Sequence, residues 1–140
     1  MKDYTTISRV YFIGIGGIGM SALAKYYLGQ NASVSGFDKT VTPLTRQMES
    51  DGIDIHYEDN VDLLDKRAEL IVYTPAVPAD HKELNYYLHN NYEVIKRSAL
   101  LGEITKSSFN ICIAGTQGKT TISTMVAHIL RHTGFGCNAF

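Results

Sequence analysis

Apolar residues fall along this chain in short continuous runs, separated by longer stretches with helical spacing. The runs cover residues 10–13, 33–37, 53–56, 70–73, 93–95 and 110–114. They read as buried strands, and 10–13 and 70–73, apolar at every position, have the habit of parallel sheets covered on both faces. Helical spacing predicts helices over 18–28, 43–50, 61–65, 82–90, 99–106 and 119–131. Strand and helix in alternation predict an α/β fold: a Rossmann-like three-layer sandwich with a mainly parallel sheet and right-handed crossovers. Ligands of such sheets bind at the carboxyl ends of the strands. The polar stretch Lys106-Ser107-Ser108 predicts a boundary, dividing the chain into 1–107 and 108–140.

Composition narrows the function classes. The 140 residues carry 13 basic and 14 acidic side chains, a balance that argues against nucleic acid as a partner. No apolar run is long enough for a membrane span, and the opening MKDYTTISR has no signal-peptide core. The expectation is a cytoplasmic protein that works on small molecules. Cys112 and Cys137 are too few for a disulfide framework. Cys112, inside the last apolar run, reads as a small buried hydrophobe.

Two glycine-rich loops carry the chemistry. Gly14-Ile15-Gly16-Gly17-Ile18-Gly19 follows the first apolar run and opens a helical segment. Gly14 suits a tight turn, Gly16 a close backbone approach to a pyrophosphate, and Gly19 close packing of helix and strand. Asp38 ends the second run, where its carboxylate could accept hydrogen bonds from a ribose or a base. Taken alone, these features also fit an NAD-binding dehydrogenase module. The second loop, Gly115-Thr116-Gln117-Gly118-Lys119-Thr120-Thr121, follows the last run. It is a shortened phosphate loop: its backbone forms an anion nest, Lys119 offers a point charge to the outer phosphates of ATP, and Thr120 offers a hydroxyl to Mg2+. A complete ATP-binding domain needs further strands and an acid to hold the metal. Residues 108–140 are therefore expected to be the first strand–loop–helix unit of a truncated P-loop domain.

With both loops placed, the chain resembles the Mur ligase family of peptidoglycan synthesis. The matching residues are Val10 to Ser21, Gly36-Phe37-Asp38, Tyr73-Thr74-Pro75-Ala76-Val77, Arg97 to Glu103 and Ala114 to Thr121. The resemblance implies a three-domain ATP-dependent ligase whose first domain holds the UDP part of UDP-N-acetylmuramate. ATP would turn the muramoyl carboxylate into an acyl phosphate, and the amino group of L-alanine would attack it to give an amide, ADP and phosphate. It implies that Gly14, Ile15, Gly16, Gly17, Ile18, Gly19 and Met20 cradle the UDP diphosphate. Asp38 and Lys39 would lie beside the uridine, with Thr74 and Ala76 facing the same nucleotide. Lys119 and Thr120 would be the catalytic contacts to ATP and Mg2+. Gln117 stands where this branch of the family usually has histidine; it hydrogen-bonds but does not titrate. Ile55-His56-Tyr57-Glu58 lacks the Gly-His pair common after the third strand.

Other readings stay in view. A ligase that recycles a whole peptide onto UDP-N-acetylmuramate would look much the same here, and a nucleotide-sensing module would use either loop without catalysis. The fragment alone is expected to bind UDP and to be inactive. Its last helical segment carries Ile122, Met125, Val126, Ile129 and Leu130 at helical spacing. That face is expected to fold back on the first domain, to fray, or to pair two chains in a weak homodimer. His128 and His132 sit four apart, as zinc ligands can, but solvent-facing histidines are the simpler reading. The pairs Tyr26-Tyr27 and Tyr86-Tyr87 each read as one core and one rim residue. Arg97 reads either as an exposed arginine at a helix start or as a contact to an anion. Asp62, Asp65, Lys66 and Arg67 read as a solvated charged face.

Overall fold

The structure, a computed structural model, describes residues 3–106 and 108–140; Ser107, at the expected boundary, lies outside them. Five strands, β1 (Arg9–Ile13), β2 (Ser33–Phe37), β3 (Asp54–His56), β4 (Leu70–Tyr73) and β5 (Val94–Lys96), form one sheet in the order β3-β2-β1-β4-β5. All four pairings are parallel. Among the described residues five helices accompany them: α1 (Ile18–Gly29), α2 (Pro43–Ser50), α3 (Lys82–His89), α4 (Arg97–Lys106) and α5 (Lys119–His132). None is long and apolar enough to cross a membrane, among the described residues.

The continuous apolar runs have the physical cause expected of them. Along β1, Val10 and Phe12 point into one core with Met20, Leu23, Ala24 and Tyr27 of α1 and Leu100 and Ile104 of α4. Tyr11 and Ile13 point into a second core with Leu84 and Tyr87 of α3. Leu70 and Val72 of β4 divide from Ile71 in the same way. With both faces covered, residues 10–13 and 70–72 are all buried. The tyrosine pairs divide as expected: Tyr27 and Tyr87 are buried, while Tyr26 and Tyr86 lie at the rim.

Burial pushes the phenols of Tyr11, Tyr27 and Tyr87 well above the ordinary tyrosine range, and the Glu83 charge adds to the effect at Tyr11 and Tyr87. The unfolded chain therefore releases these three protons first, near pH 10. Their contribution to stability is complete below that pH and is lost as pH rises through the folded values. Denaturant unfolding at pH 8, 10 and 11 is expected to show a fall approaching about 4 kcal/mol per pH unit at the alkaline end. In 295 nm absorbance, three of the nine tyrosines should ionise only with unfolding. A titration in which all nine ionise before the fold is lost would contradict this.

Three expectations are corrected. Residues 61–65 form turns, not a helix. Asn60 accepts from the Asp62 N–H and Asp65 from the Arg67 N–H, and such local side-chain bonds compete with helix formation. Asp65 is also no member of a solvated face, since it is mostly buried and pairs with Arg9 at 3.0 Å. Finally, residues 110–114 form no strand. A strand exists only through a neighbour's hydrogen bonds, and this run joins neither edge of the five-stranded sheet. Cys112 is accordingly exposed rather than buried; both cysteines are free thiols.

The helix α5 forms but buries none of its residues. Ile122, Met125 and Ile129 are about half exposed or more. Beyond it, Phe140 rests its ring on Tyr26 of α1, at a centroid distance of 5.8 Å. His128 and His132 are exposed, as expected. No group of three or more His, Cys, Asp or Glu side chains could hold a metal ion, among the described residues.

Candidate functional site

The strand order reverses at β1. The chain runs outward from β1 through β2 to β3, then crosses back to place β4 on the other side of β1. The carboxyl ends of β1 and β4 therefore flank a topological switch point, the crevice where open α/β sheets bind ligands. Gly14 to Met20 leave β1 there, and Thr74 and Ala76 leave β4. The two segments meet: a Cβ on Gly14 would lie 4.0 Å from the Val77 side chain. Gly14 takes φ +84°, the left-handed turn that glycine allows.

Within the loop, the backbone is built for a defined shape. The Gly14 and Ile15 N–H groups both donate to the Phe37 carbonyl of β2, at 2.8 and 3.0 Å. Gly16 N–H donates to the Asp38 carboxylate at 2.7 Å, and Gly17 N–H returns to the Gly14 carbonyl. Ile15 and Met20 anchor the loop by burying their side chains in the core, while Ile18 projects into solvent. The Gly16 position is crowded: a Cβ there would meet Asp38 Oδ2 at 2.8 Å and the buried Thr45 methyl at 3.0 Å.

Asp38 holds the loop in place. Its Oδ2 accepts from Gly16 N–H and its Oδ1 from Thr40 N–H at 2.9 Å. The carboxylate thus fastens the first loop to the end of β2. Lys39, beside it, is exposed. At Gly19 the atoms nearest an added Cβ belong to Arg97, whose Nη1 would lie 2.6 Å away.

The helix ends reveal a pattern that sequence spacing did not. Helix α2 is capped by Thr42, which accepts from Thr45 N–H in a reciprocal capping box. Helix α3 is capped by His81, and Asp59 accepts from the Lys82 and Glu83 N–H groups. The two helices that follow glycine loops have no side-chain cap: α1 begins after Gly17 and α5 after Gly118. Both leave first-turn N–H groups and the positive end of the helix dipole open to an anion.

In the second loop, Gly118 takes φ +76° to start α5, and the Lys119 ammonium donates to the Gly115 carbonyl at 2.6 Å. Gly115, Thr116, Gln117, Thr120 and Thr121 are exposed. No hydrogen bond joins this loop to the first, among the described residues. The structure thus gathers Gly14 to Met20, Asp38, Lys39, Thr74 and Ala76 at one end of the sheet.

Behind the site lies a polar cluster that sequence reasoning missed. Glu83, fully buried, accepts from the Tyr11 hydroxyl at 2.5 Å and from Asn60 N–H at 3.1 Å, and its Oε1 lies 2.7 Å from His56 Nε2. His56 in turn accepts, through its carbonyl, the Asp38 N–H. The cluster therefore braces the strand end that carries Asp38. Its one sequence signal, a histidine at the end of an apolar run, says nothing of a partner 27 residues away.

Residues 9–109 match a family described as the Mur ligase family, catalytic domain. The UDP-N-acetylmuramate–L-alanine ligase of Parabacteroides distasonis is 51% identical over 143 residues, covering 99% of this chain and 31% of that protein. The chain thus spans about a third of the length of the relatives it matches. Among solved structures, the UDP-N-acetylmuramate–alanine ligase of Thermotoga maritima superposes with a TM-score of 0.84 at 31% identity, covering 90% of this chain and 30% of the other. A murein peptide ligase of Psychrobacter arcticus follows at a TM-score of 0.81 and 29% identity, covering 89% and 26%.

Proposed function

The chain belongs to the Mur ligase family, and on that premise we propose that it is the nucleotide-sugar-binding part of a ligase that joins L-alanine to UDP-N-acetylmuramate. The observation that carries this reading is the open end of α1 beneath Gly14 to Met20, at the switch point of the sheet, while α2 and α3 are capped by side chains. In this reading the loop receives the diphosphate, and Lys39, Thr74 and Ala76 surround the uridine. Asp38 acts through the loop that it fastens.

Residues 108–140 begin the ATP-binding domain. Gly115 to Thr121 wrap the phosphates, and Lys119 exchanges its contact with the Gly115 carbonyl for the outer phosphate oxygens. Thr120, exposed on the first turn of α5, is the residue assigned to magnesium, a hard cation that takes oxygen donors. When bound, the ion neutralises charge on the transferring phosphoryl group. Phosphorylation of the muramoyl carboxylate makes an acyl phosphate, so that the amine of alanine meets a good leaving group. The parent enzyme is placed in the cytoplasm. A ligase attaching a peptide instead of alanine is the second reading, favoured by the likeness to the murein peptide ligase.

Calorimetric titration of the chain with UDP-N-acetylmuramate, with NAD and magnesium-ATP in parallel, tests this. Heat from the UDP-sugar and none from NAD is the expected outcome. Binding of NAD without the UDP-sugar would overturn it.

A further inference from the structure

Helix α5 has 14 residues and buries none of them, and a helix of that length without packing is marginal in water. On its last turns His128 and His132 stand four apart, neighbours on one helix face. Their ring centroids are 4.1 Å apart and the ring planes are tilted by 36°. Both residues are exposed. The histidine–carboxylate pairs among the described residues are those of His56 and His81, so neither ring on α5 has an acid beside it. His132 Nδ1 lies 3.1 Å from the His128 carbonyl. A carbonyl only accepts, so that nitrogen carries the proton and Nε2 keeps its lone pair. Two protonated rings at this spacing would repel, and α5 contains no acidic residue to offset them. Neutral rings side by side instead offer two nitrogen donors within reach of one point.

We propose that His128 and His132 form a two-nitrogen clamp on α5 for a borderline divalent cation such as Zn2+ or Ni2+. Imidazole suits these ions, whereas magnesium takes oxygen donors. Nitrogens each about 2.0–2.1 Å from one zinc stand about 3.4 Å apart in tetrahedral geometry, a spacing open to rings whose centres are 4.1 Å apart. The bond to the His128 carbonyl fixes the tautomer and the aim of His132, as metal-bound histidines are commonly fixed. Water fills the remaining positions, because no group of three His, Cys, Asp or Glu side chains is close enough, among the described residues. The clamp is separate from the magnesium assigned to Thr120: eight residues of helix put the two about 12 Å apart along the axis. It requires neither glycine loop. The ion bridges successive turns, so binding it and forming the end of α5 are linked.

Calorimetric titration of the chain with Ni2+, followed by circular dichroism at 222 nm, tests the clamp. Nickel should bind at one ion per chain, and excess magnesium should not displace it. His128→Ala and His132→Ala should each weaken nickel about a hundredfold, since a lone donor binds without the benefit of the second. The double variant should lose little more, because the first substitution already ends chelation. Alanine at an exposed helix position favours the helix, so both variants fold. Saturating nickel should raise the helical signal of the wild type and leave that of either alanine variant unchanged. Cys112→Ser and Cys137→Ser, which remove the free thiols, should bind nickel within about twofold of wild type. Nickel binding that survives both alanine substitutions, or that is lost with the thiols instead, would overturn the proposal. So would losses that add in the double variant, which describe two independent weak sites. A wild type that binds no nickel, or gains no helix on binding it, would overturn it as well.

Discussion

Replacing Glu83 with alanine is expected to remove about 3–5 kcal/mol of stability, the cost of breaking a buried ionic cluster by deleting one member. Glu83 has no exposed surface, and three groups converge on it: the Tyr11 hydroxyl, the His56 ring and the Asn60 N–H. Alanine leaves each of them buried or half-buried without its acceptor, and opens a cavity between α3 and β1. Against the 5–15 kcal/mol typical of a domain, much of the folded population is at stake. Urea unfolding of Glu83→Ala, Glu83→Gln and Tyr11→Phe separates the contributions. Glutamine keeps the shape and one acceptor, so its loss should be the smaller. Tyr11→Phe combined with Glu83→Ala should cost less than the two single changes together, because the partners are shared. A Glu83→Ala midpoint within about 1 kcal/mol of wild type, below the cost of one unsatisfied buried group, would show that the cluster is not what holds α3 to the sheet.

The second large effect is on binding. Gly16→Val should abolish measurable binding of UDP-N-acetylmuramate, a loss of at least about a hundredfold, while the domain stays folded at a cost of about 1–3 kcal/mol from overpacking. Even a bare Cβ at this position meets Asp38 and the buried Thr45. Thr45 sits inside α2, locked in its capping box, and cannot yield, so Asp38 must leave the Gly16 N–H. The loop then loses its fastening to β2, and the first turn of α1 no longer presents its N–H groups in a fixed direction. Gly102→Ala is the matched control. It lies within α4 with nothing near its missing side chain, and should bind normally and gain about 0.5–1 kcal/mol. Binding by Gly16→Val at wild-type strength would remove the first loop from the site.

How much of this was legible beforehand follows the range of the forces involved. The runs at 10–13 and 70–73 became β1 and β4 because double-sided burial forces near-continuous apolarity. Helix α2 follows from its spacing, and Pro43 with the capping residues Thr42 and Thr45, whose bonds span three residues, fixes its start. Helix α4 starts at Arg97, two residues before the apolar pattern suggests, since its opening turn needs no apolar side chain. The run at 110–114 shows the limit of pattern reading: its residues suit a strand, but a strand needs a partner, and the sheet gives it none.

The glycine loop, its place between strand and helix, and the alternation that implies a parallel sheet are written in the sequence, because turn geometry and hydrophobic spacing act over a few residues. The roles of Asp38 and Glu83 are not. Asp38 reaches Gly16 across 22 residues and Glu83 reaches Tyr11 across 72. Charge acts through space. Which carboxylate fastens a loop, and which is buried behind it, are settled only when the strand order brings distant segments together.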